Sequence, residues 1–294
     1  MRAFITHKRT PYLLLLPSFL AILLVIIYPA MRALSMSFLS YKLTRPNDIN
    51  FIGFGNYLRA LTDPVFWISL RNTVIYVSVS VGMQFILGLF LAIILRKGKR
   101  IHKIIQTLML LPWVIPGILG AFMWRWMLNG NYGIINFTLK NMGLIREYVP
   151  WLVNTHLALP SVILVTVWRG MPFFAVTLTA GLHAVPDELI EAARIDGASR
   201  IQEFTKIIIP IIMPVIITTT LLRVIWTANY VDLIFLLTEG GPGYSTLVLP
   251  LYTYSVARNT LDYGYASTLA ILLSALLIGV VILYFRQVKK QELV

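Results

Sequence analysis

Four polar or aromatic side chains share one helical face in an otherwise apolar run of the chain. Their spacing is i, i+3, i+4 and i+7, and they are Arg223, Trp226, Thr227 and Tyr230. A cation at bilayer depth is costly by about 2.5–3.5 kcal/mol, so Arg223 should face a polar cavity or a partner. Trp and Tyr rings offer flat faces to C–H groups and N–H or O–H donors at their edges. This face therefore predicts contact with a polar solute.

A structural explanation of the same residues remains open. Arg223 could pair with an acidic group such as Asp232 or with a neighbouring helix, while the aromatic rings simply pack. Replacing Trp226 would distinguish a solute contact from a packing contact.

Several kinds of catalytic and metal chemistry are excluded by composition. The chain has no cysteine, and its histidines, His7, His102, His156 and His183, are too scattered for a metal site. No G-x-x-x-x-G-K-[ST] motif is present, so no P-loop can bind a nucleotide in this chain. If ATP drives a process, another subunit hydrolyses it.

A polar segment from Pro186 to Pro210 contrasts with its apolar surroundings. Pro186 and the acidic residues Asp187 and Glu188 are typical of the first turn of a helix, where negative charge is favoured. One face of this helix is predicted to carry Leu189, Ala192, Ala193 and Asp196. Glu191 and Glu203 are further acidic residues of the segment.

A sharp turn and a second helix are predicted after this first helix. Gly197 permits backbone angles that other residues resist. Ser199 followed by Gln202 has the spacing of a capping box, which begins a helix. The segment thus predicts helix, glycine turn and helix, returning to the apolar run.

Composition identifies a membrane protein with many spans. Hydrophobic residues form 58% of the chain and charged residues 13%, against roughly 45–50% and 25% in soluble domains. The 294 residues have room for about six spans of ~20 residues. The net charge of +13 does not indicate nucleic-acid binding, because the basic residues flank apolar spans.

The predicted fold is all-α, a bundle of six transmembrane helices in one domain over residues 1–294. The spans are 12–27, 72–95, 104–127, 158–182, 207–237 and 266–285. Pro112 and Pro116 predict kinks in the third span, which are tolerated where helices line a cavity or pack closely.

Basic residues predict the orientation. Both tails, the 96–103 loop and the 186–206 loop hold fourteen lysines and arginines, against eight in the other three loops. The positive-inside rule therefore places both termini and the 186–206 loop in the cytoplasm.

The 186–210 segment also carries a resemblance. Glu191-Ala192-Ala193, Gly197 and Ile207-x-Ile209-Pro210 resemble the EAA loop of ABC importer permeases. The family pattern ends in Ile-x-Leu-Pro, so Ile209 departs from it. The resemblance implies that this loop forms the coupling helix and docks on a cytoplasmic ATPase. The implied coupling residues are Glu191, Ala192, Ala193, Asp196, Gly197 and Pro210.

Wider stretches of the chain are similar to carbohydrate importers of the maltose and glycerol-phosphate type. They include LLPWVIPG, VWRGMPFF, DLIFLLTEGGPG and DYGYAS. The resemblance implies a type I importer (MetI-like) permease fold with a core at about 68–285. It also implies a second related permease, two ATPase subunits that bind ATP and Mg²⁺, and an external solute-binding protein. With ATP hydrolysed by the ATPase subunits, it implies no enzyme activity and no cofactor in this chain alone. FIGFGNYLRAL resembles a family segment after the first span and predicts a short interfacial helix.

The resemblance also implies a sugar cavity between the fourth and fifth spans. The corresponding positions here are Trp168, Gly170, Phe173, Arg223, Trp226, Thr227 and Tyr230. Arg223 departs from the family, in which a small polar residue can occupy this position.

Three functions remain open at this point. They are a bacterial or archaeal inner-membrane permease for a sugar or oligosaccharide, an ABC permease for another solute such as glycerol phosphate, a peptide or a polyamine, and an ion-coupled carrier or channel. The absence of an internal repeat weighs against a carrier built from two related halves.

Overall fold

The structure is a computed structural model that describes residues 10–96 and 100–291. The N-terminal tail with Arg2, Lys8 and Arg9, and Lys97 and Lys99 of the predicted basic loop, lie outside the described residues. The described chain is mainly helical, as predicted, with one antiparallel pair of short strands. Its α-helices and strands are α1 Thr10–Ile22, α2 Tyr28–Ser37, β1 Leu39–Ser40, β2 Asn50–Phe51, α3 Gly55–Thr62, α4 Pro64–Leu95, α5 Arg100–Met109, α6 Leu111–Val114, α7 Gly117–Met127, α8 Ile134–Asn141, α9 Ala158–His183, α10 Asp187–Ile195, α11 Arg200–Gln202, α12 Ile209–Asn229, α13 Asp232–Thr238, α14 Leu249–Ser255 and α15 Tyr263–Gln291. Turns of π-helix occupy Leu23–Ile27, Glu203–Ile208 and Val256–Thr260.

The predicted number of spans agrees with the helix lengths. Among the described residues, five helical segments are long and apolar enough to cross a membrane, and a sixth is obtained if two helices bent by 95° form one span. The segments are Leu14–Ser37, Pro64–Leu95, Ala158–His183, Arg200–Asn229 and Tyr263–Arg286, with the bent pair Ile104–Val114 and Gly117–Met127.

The first two spans are longer than predicted. The first helix continues through Pro29 to Ser37 instead of ending at Ile27. Pro29 follows a π-helical turn, and a proline is tolerated where the hydrogen-bond register changes. The second begins at Pro64 instead of Asn72, because proline suits the first turn of a helix. Arg32 and Arg71, which we counted with the external loops, therefore lie inside helices.

The third and fifth spans are interrupted. Ile115 is extended and ends α6, because the residue before a proline avoids helical angles, and Pro116 precedes α7. The predicted kink at Pro116 is thus a complete break. The fifth span, predicted over 207–237, ends as a helix at Asn229, and Tyr230 is extended before α13 begins. No proline or glycine marks this second break in the sequence.

One compact unit comprises the described residues up to 63 together with residues 253–275. Its polar centre is the buried carboxylate of Asp262, which lies 2.8 Å from Arg59 and 3.8 Å from Lys42. The Arg59 guanidinium also lies 3.9 Å from the ring centroid of Tyr265, whose hydroxyl donates to Asp63 at 2.6 Å. These contacts fix α3 to the beginning of α15.

The second unit comprises residues 64–252 and the described residues from 276. The most extensive helix contact in it joins α4 to α9. Gly88 permits this contact, because a Cβ there would overlap Phe174 and come within 3.0 Å of the backbone nitrogen of Ala175. Helices α6, α12 and α13 pack on this helix pair.

Candidate functional site

The 186–206 loop has the predicted local structure. Helix α10 begins after Pro186, and Asp187 and Glu188 lie in its first turn. Gly197 has φ +81°, a conformation that favours glycine. The capping box is complete, because the Ser199 hydroxyl accepts from the Gln202 amide at 3.3 Å and the Gln202 side chain accepts from the Ser199 amide at 2.8 Å. A glycine turn between two helices is confirmed.

An ion pair that the sequence analysis missed closes the loop. Arg194 donates from Nε to Glu203 Oε2 at 3.0 Å and from Nη2 to Oε1 at 3.1 Å. Hydrogen bonding to Glu203, and then its charge, raise the pKa of Arg194. The Glu203 carboxylate is buried, whereas Arg194 is largely exposed on α10. The ion pair therefore connects the surface of α10 to a buried group at the beginning of the second helix. The sequence could have suggested this ion pair, because Arg194 and Glu203 carry opposite charges on either side of the turn at Gly197.

The outer face of this loop combines charge with apolar side chains. Glu191, Ala192 and Asp196 are exposed and Ala193 is half-buried, while Ile190 is buried and holds α10 against the bundle. Pro210 is exposed in the first turn of α12. The sequence analysis missed Ile195 and Ile201, whose residues are 86% and 75% exposed. Such a surface suits close contact with another protein.

A cavity of about 180 Å³ lies between α9, α12 and the broken third span. Four of the seven predicted path residues line it, including Tyr230, which lies beyond the end of α12 and not on its regular helical face. The lining residues are Trp113, Thr166, Arg169, Arg223, Trp226, Thr227 and Tyr230.

Arg223 pairs with a neighbouring helix, and not with Asp232. Its Nε donates to Gln84 Oε1 of α4 at 2.9 Å, and Gln84 Nε2 donates to the carbonyl of Thr166 at 3.1 Å. Gly170 leaves room for this contact, because a Cβ there would overlap both Arg223 and Gln84. No local signal in the sequence indicates the pairing of Arg223 with Gln84, because the two residues are 139 positions apart.

Arg169, which the sequence analysis did not select, joins the two helix breaks. Its Nη1 donates to the carbonyl of Ile115 at 2.9 Å, where α6 ends, and its guanidinium lies 5.6 Å from the ring centroid of Tyr230. Irregular backbone is tolerated at membrane depth where it is buried in protein or lines a cavity. The helix breaks at Ile115 and Tyr230 are therefore both explained by their position at this cavity.

The remaining predicted path residues lie outside the cavity lining. The Phe173 ring is 5.2 Å from that of Trp226 and 6.3 Å from that of Trp113, so it backs the two indoles. Trp168 instead packs edge-on against Trp124, with ring centroids 5.5 Å apart. Phe173 therefore supports the cavity by packing against two of its lining residues. Trp168 is not part of the site.

The cavity offers groups that suit an oxygen-rich solute. Two guanidiniums, from Arg169 and Arg223, can donate to solute oxygens, and no carboxylate is among the lining residues. The hydroxyl of Thr227 is buried and has no hydrogen-bond partner among the described residues. Trp113 and Trp226 add indole rings. A cation would be repelled here, whereas hydroxyl-bearing or anionic solutes would be stabilised.

Comparison with known proteins agrees with this arrangement. A family model described as a binding-protein-dependent transport system inner membrane component matches residues 84–291. Over 275 residues the chain is 36% identical to the trehalose/maltose transport system permease protein MalF of Thermococcus litoralis, covering 94% of this chain and 92% of that protein. It is 32% identical over 280 residues to the sulfoquinovosyl glycerol transport system permease protein SmoG of Agrobacterium fabrum, covering 95% and 90%.

The fold is shared with a solved transporter. The crystal structure of a bacterial ABC transporter involved in the import of the acidic polysaccharide alginate contains a chain that superposes with TM-score 0.83 at 24% identity, over 97% of each chain. The predicted type I importer fold is thereby confirmed. Because the family match includes the 186–206 loop and every residue that lines the cavity, the chain belongs to the inner-membrane components of binding-protein-dependent ABC importers, and it is a permease subunit.

Proposed function

We propose that this permease carries a sugar or oligosaccharide across the cytoplasmic membrane. The observation that supports this most directly is the cavity, which is lined by two indole rings, two guanidiniums and Thr227. Indoles suit the apolar faces of sugar rings, and the polar donors suit hydroxyls. Relatives named for trehalose or maltose and for sulfoquinovosyl glycerol support the same class of solute.

Another small solute is the second candidate, and the cavity restricts its chemistry. Arg169 and Arg223 disfavour polyamines, because no carboxylate among the lining residues would balance a cation. Glycerol phosphate would satisfy the two guanidiniums through its phosphate group, but it offers no ring face to Trp113 and Trp226, as a sugar does. Membership of the family removes the ion-coupled carrier and the channel.

The proposed assembly contains this chain, a second related permease, two ATPase subunits and an external solute-binding protein. ATP and Mg²⁺ would be held by the ATPase subunits and not by this chain. The 186–206 loop would dock on one of them through Glu191, Ala192, Ala193 and Asp196, while Gly197 sets the turn and Pro210 begins the next helix. Exposed Ile195 and Ile201 would add apolar area to this contact.

The function is tested by uptake into proteoliposomes that contain the complete transporter. A ligand screen on the partner binding protein first identifies solutes, and uptake of each is then measured with and without ATP. We expect ATP-dependent, vanadate-sensitive uptake of a sugar. Binding and uptake confined to peptides or amines would overturn the proposed solute class.

We also propose that both termini and the 186–206 loop lie in the cytoplasm. Support comes from the basic asymmetry and from Arg96, whose Nη2 lies 3.4 Å from Asp187, so the basic loop and α10 begin at the same end of their unit. Exposed Ser199 is a suitable probe, since the chain has no cysteine. In the Ser199→Cys variant, we expect an impermeant thiol reagent added outside intact cells to give no labelling.

A matched probe makes this result interpretable. Asp48→Cys, in the loop between β1 and β2, should be labelled from outside, while a permeant reagent should label both variants. External labelling of Ser199→Cys with the impermeant reagent would refute the proposed orientation.

Trp226→Ala tests the solute path. Loss of the indole should cut uptake severely, whereas ATP hydrolysis stimulated by the binding protein should largely survive, because the 186–206 loop is unchanged. Trp126→Ala is the control, since Trp126 is exposed and lies outside the cavity lining. A parallel fall in uptake and hydrolysis, or no change in either, would identify Trp226 as a packing residue.

A further inference from the structure

Two arginines line the cavity between α9 and α12, and no acidic side chain in the described part of the chain balances their charge. Arg169 donates to the backbone carbonyl of Ile115, which is a neutral acceptor. Arg223 donates to the side-chain oxygen of Gln84, which is also neutral. Neither arginine forms a salt bridge with a described residue. Asp232, in the first turn of α13, is exposed and is not among the lining residues.

Glycines leave the space that both guanidiniums occupy. A Cβ at Gly117 would lie 3.4 Å from Nη2 of Arg169. A Cβ at Gly170 would overlap the guanidinium of Arg223. Each arginine uses one of its N–H groups in the bond described above, and a guanidinium has several more in a fixed planar array. Donors on both side chains therefore remain for a ligand.

This arrangement is favourable for one kind of ligand. An unpaired cation at membrane depth is costly, and a neutral solute would leave both cations unpaired. An anionic group would accept charge-assisted hydrogen bonds, which are stronger than those between neutral groups. The planar donors of arginine match the oxygens of carboxylates and phosphates in particular. The two side chains therefore favour a solute that carries negative charge.

We infer that the solute is an acidic sugar. Its anionic group lies between Arg169 and Arg223, and its ring packs against Trp113 and Trp226, which line the same cavity and are 50% and 46% exposed. A sugar with a charged substituent uses both halves of this lining, whereas a neutral sugar uses only the indoles and single donors. The inference rests on the proposed transport of sugars and narrows it to those with a negative charge.

Binding of matched sugars to the complete transporter tests this inference. Radiolabelled galactose and galacturonate, and then galactobiose and digalacturonate, are added to the transporter in nanodiscs without the solute-binding protein. The members of each pair differ only in the oxidation of hydroxymethyl groups to carboxylates. We expect the acidic member to bind at least about tenfold more tightly, because charge-assisted hydrogen bonds are gained. This ratio is measured on the unaltered protein, so it does not depend on the folding of any variant.

Three variants then identify the source of the ratio. Arg223→Gln removes one charge, and it should reduce the ratio to less than about threefold by weakening the acidic sugars alone. Arg223→Lys keeps the charge without the planar donors, and it should retain part of the preference. Arg146→Gln is the matched control, since Arg146 is exposed and is not among the lining residues. It should keep the full ratio.

The outcomes separate this inference from the proposed function. Equal binding of neutral and acidic sugars, or a preference that Arg223→Gln leaves intact, would overturn the acidic solute while sugar transport stands. An equal loss of both kinds of sugar in Arg223→Gln would identify Arg223 as a structural residue and would also overturn the inference. If no sugar binds, or if acetate displaces galacturonate as well as unlabelled galacturonate does, the sugar ring contributes nothing and both proposals fail.

Discussion

Alanine in place of Gly170 is expected to reduce uptake at least about tenfold while the chain remains folded. The added Cβ would overlap the ends of the Arg223 and Gln84 side chains, which can move aside but only by breaking their 2.9 Å hydrogen bond. A hydrogen bond to a charged group contributes about 1.5–3 kcal/mol to stability. If the transport step depends on this bond, losing about 1.4 kcal/mol of stabilisation in that step slows it about tenfold. Uptake and thermal unfolding should be measured on the same preparation.

Two other glycines provide matched comparisons. Gly82→Ala should alter neither property, because nothing lies within 4 Å of the added Cβ. Gly88→Ala should lower the unfolding temperature, since its Cβ would meet the α9 backbone, and overpacking costs about 1–3 kcal/mol. If Gly170→Ala transports normally, or if Gly88→Ala loses as much uptake at an equal fall in unfolding temperature, the position of Arg223 in the cavity does not control transport.

Gly197→Asp should abolish uptake and weaken association with the ATPase subunits without preventing membrane insertion. A Cβ at Gly197 would enter open space, so the damage comes from the backbone, whose φ of +81° costs other residues about 1–2 kcal/mol. The carboxylate would also lie beside Asp196 at the negative end of the α10 dipole. Uptake, co-purification of the ATPase and membrane content are the measurements.

Gly197→Asn separates these two causes. Asparagine has nearly the same shape and tolerates this backbone region better than most residues, but it adds no charge. We expect it to retain part of the uptake. Normal uptake by Gly197→Asp would show that the turn is not required for coupling.

The 186–206 loop could be predicted because its signals are local. A glycine needing positive φ, and a serine three residues before a glutamine, act over distances that the sequence shows directly. The Arg194–Glu203 pair spans the turn, and its formation depends on how two helices pack. Sequence shows the charges but not the angle between the helices.

The cavity was only partly predictable. Helical spacing selected Arg223, Trp226 and Thr227 correctly as neighbours, and Tyr230 joined them although the helix had already ended. Gln84 and Arg169 were missed because their partners lie on other helices. The expected span limits at Ile27 and Asn72 were wrong because the helices continue beyond the most apolar runs, through Pro29 to Ser37 and back to Pro64.

The ion pair between Arg194 and Glu203 has a mechanical consequence. Glu203 begins a π-helical turn inside a helical segment that runs without interruption from Arg200 to Asn229, and this segment carries Trp226. At 1.5 Å per residue, about 30 Å of helix separates Glu203 from Arg223. The bidentate pair connects α10 to the beginning of this segment across the glycine turn. We propose that a displacement of α10 is passed through this contact along the helix to the cavity wall.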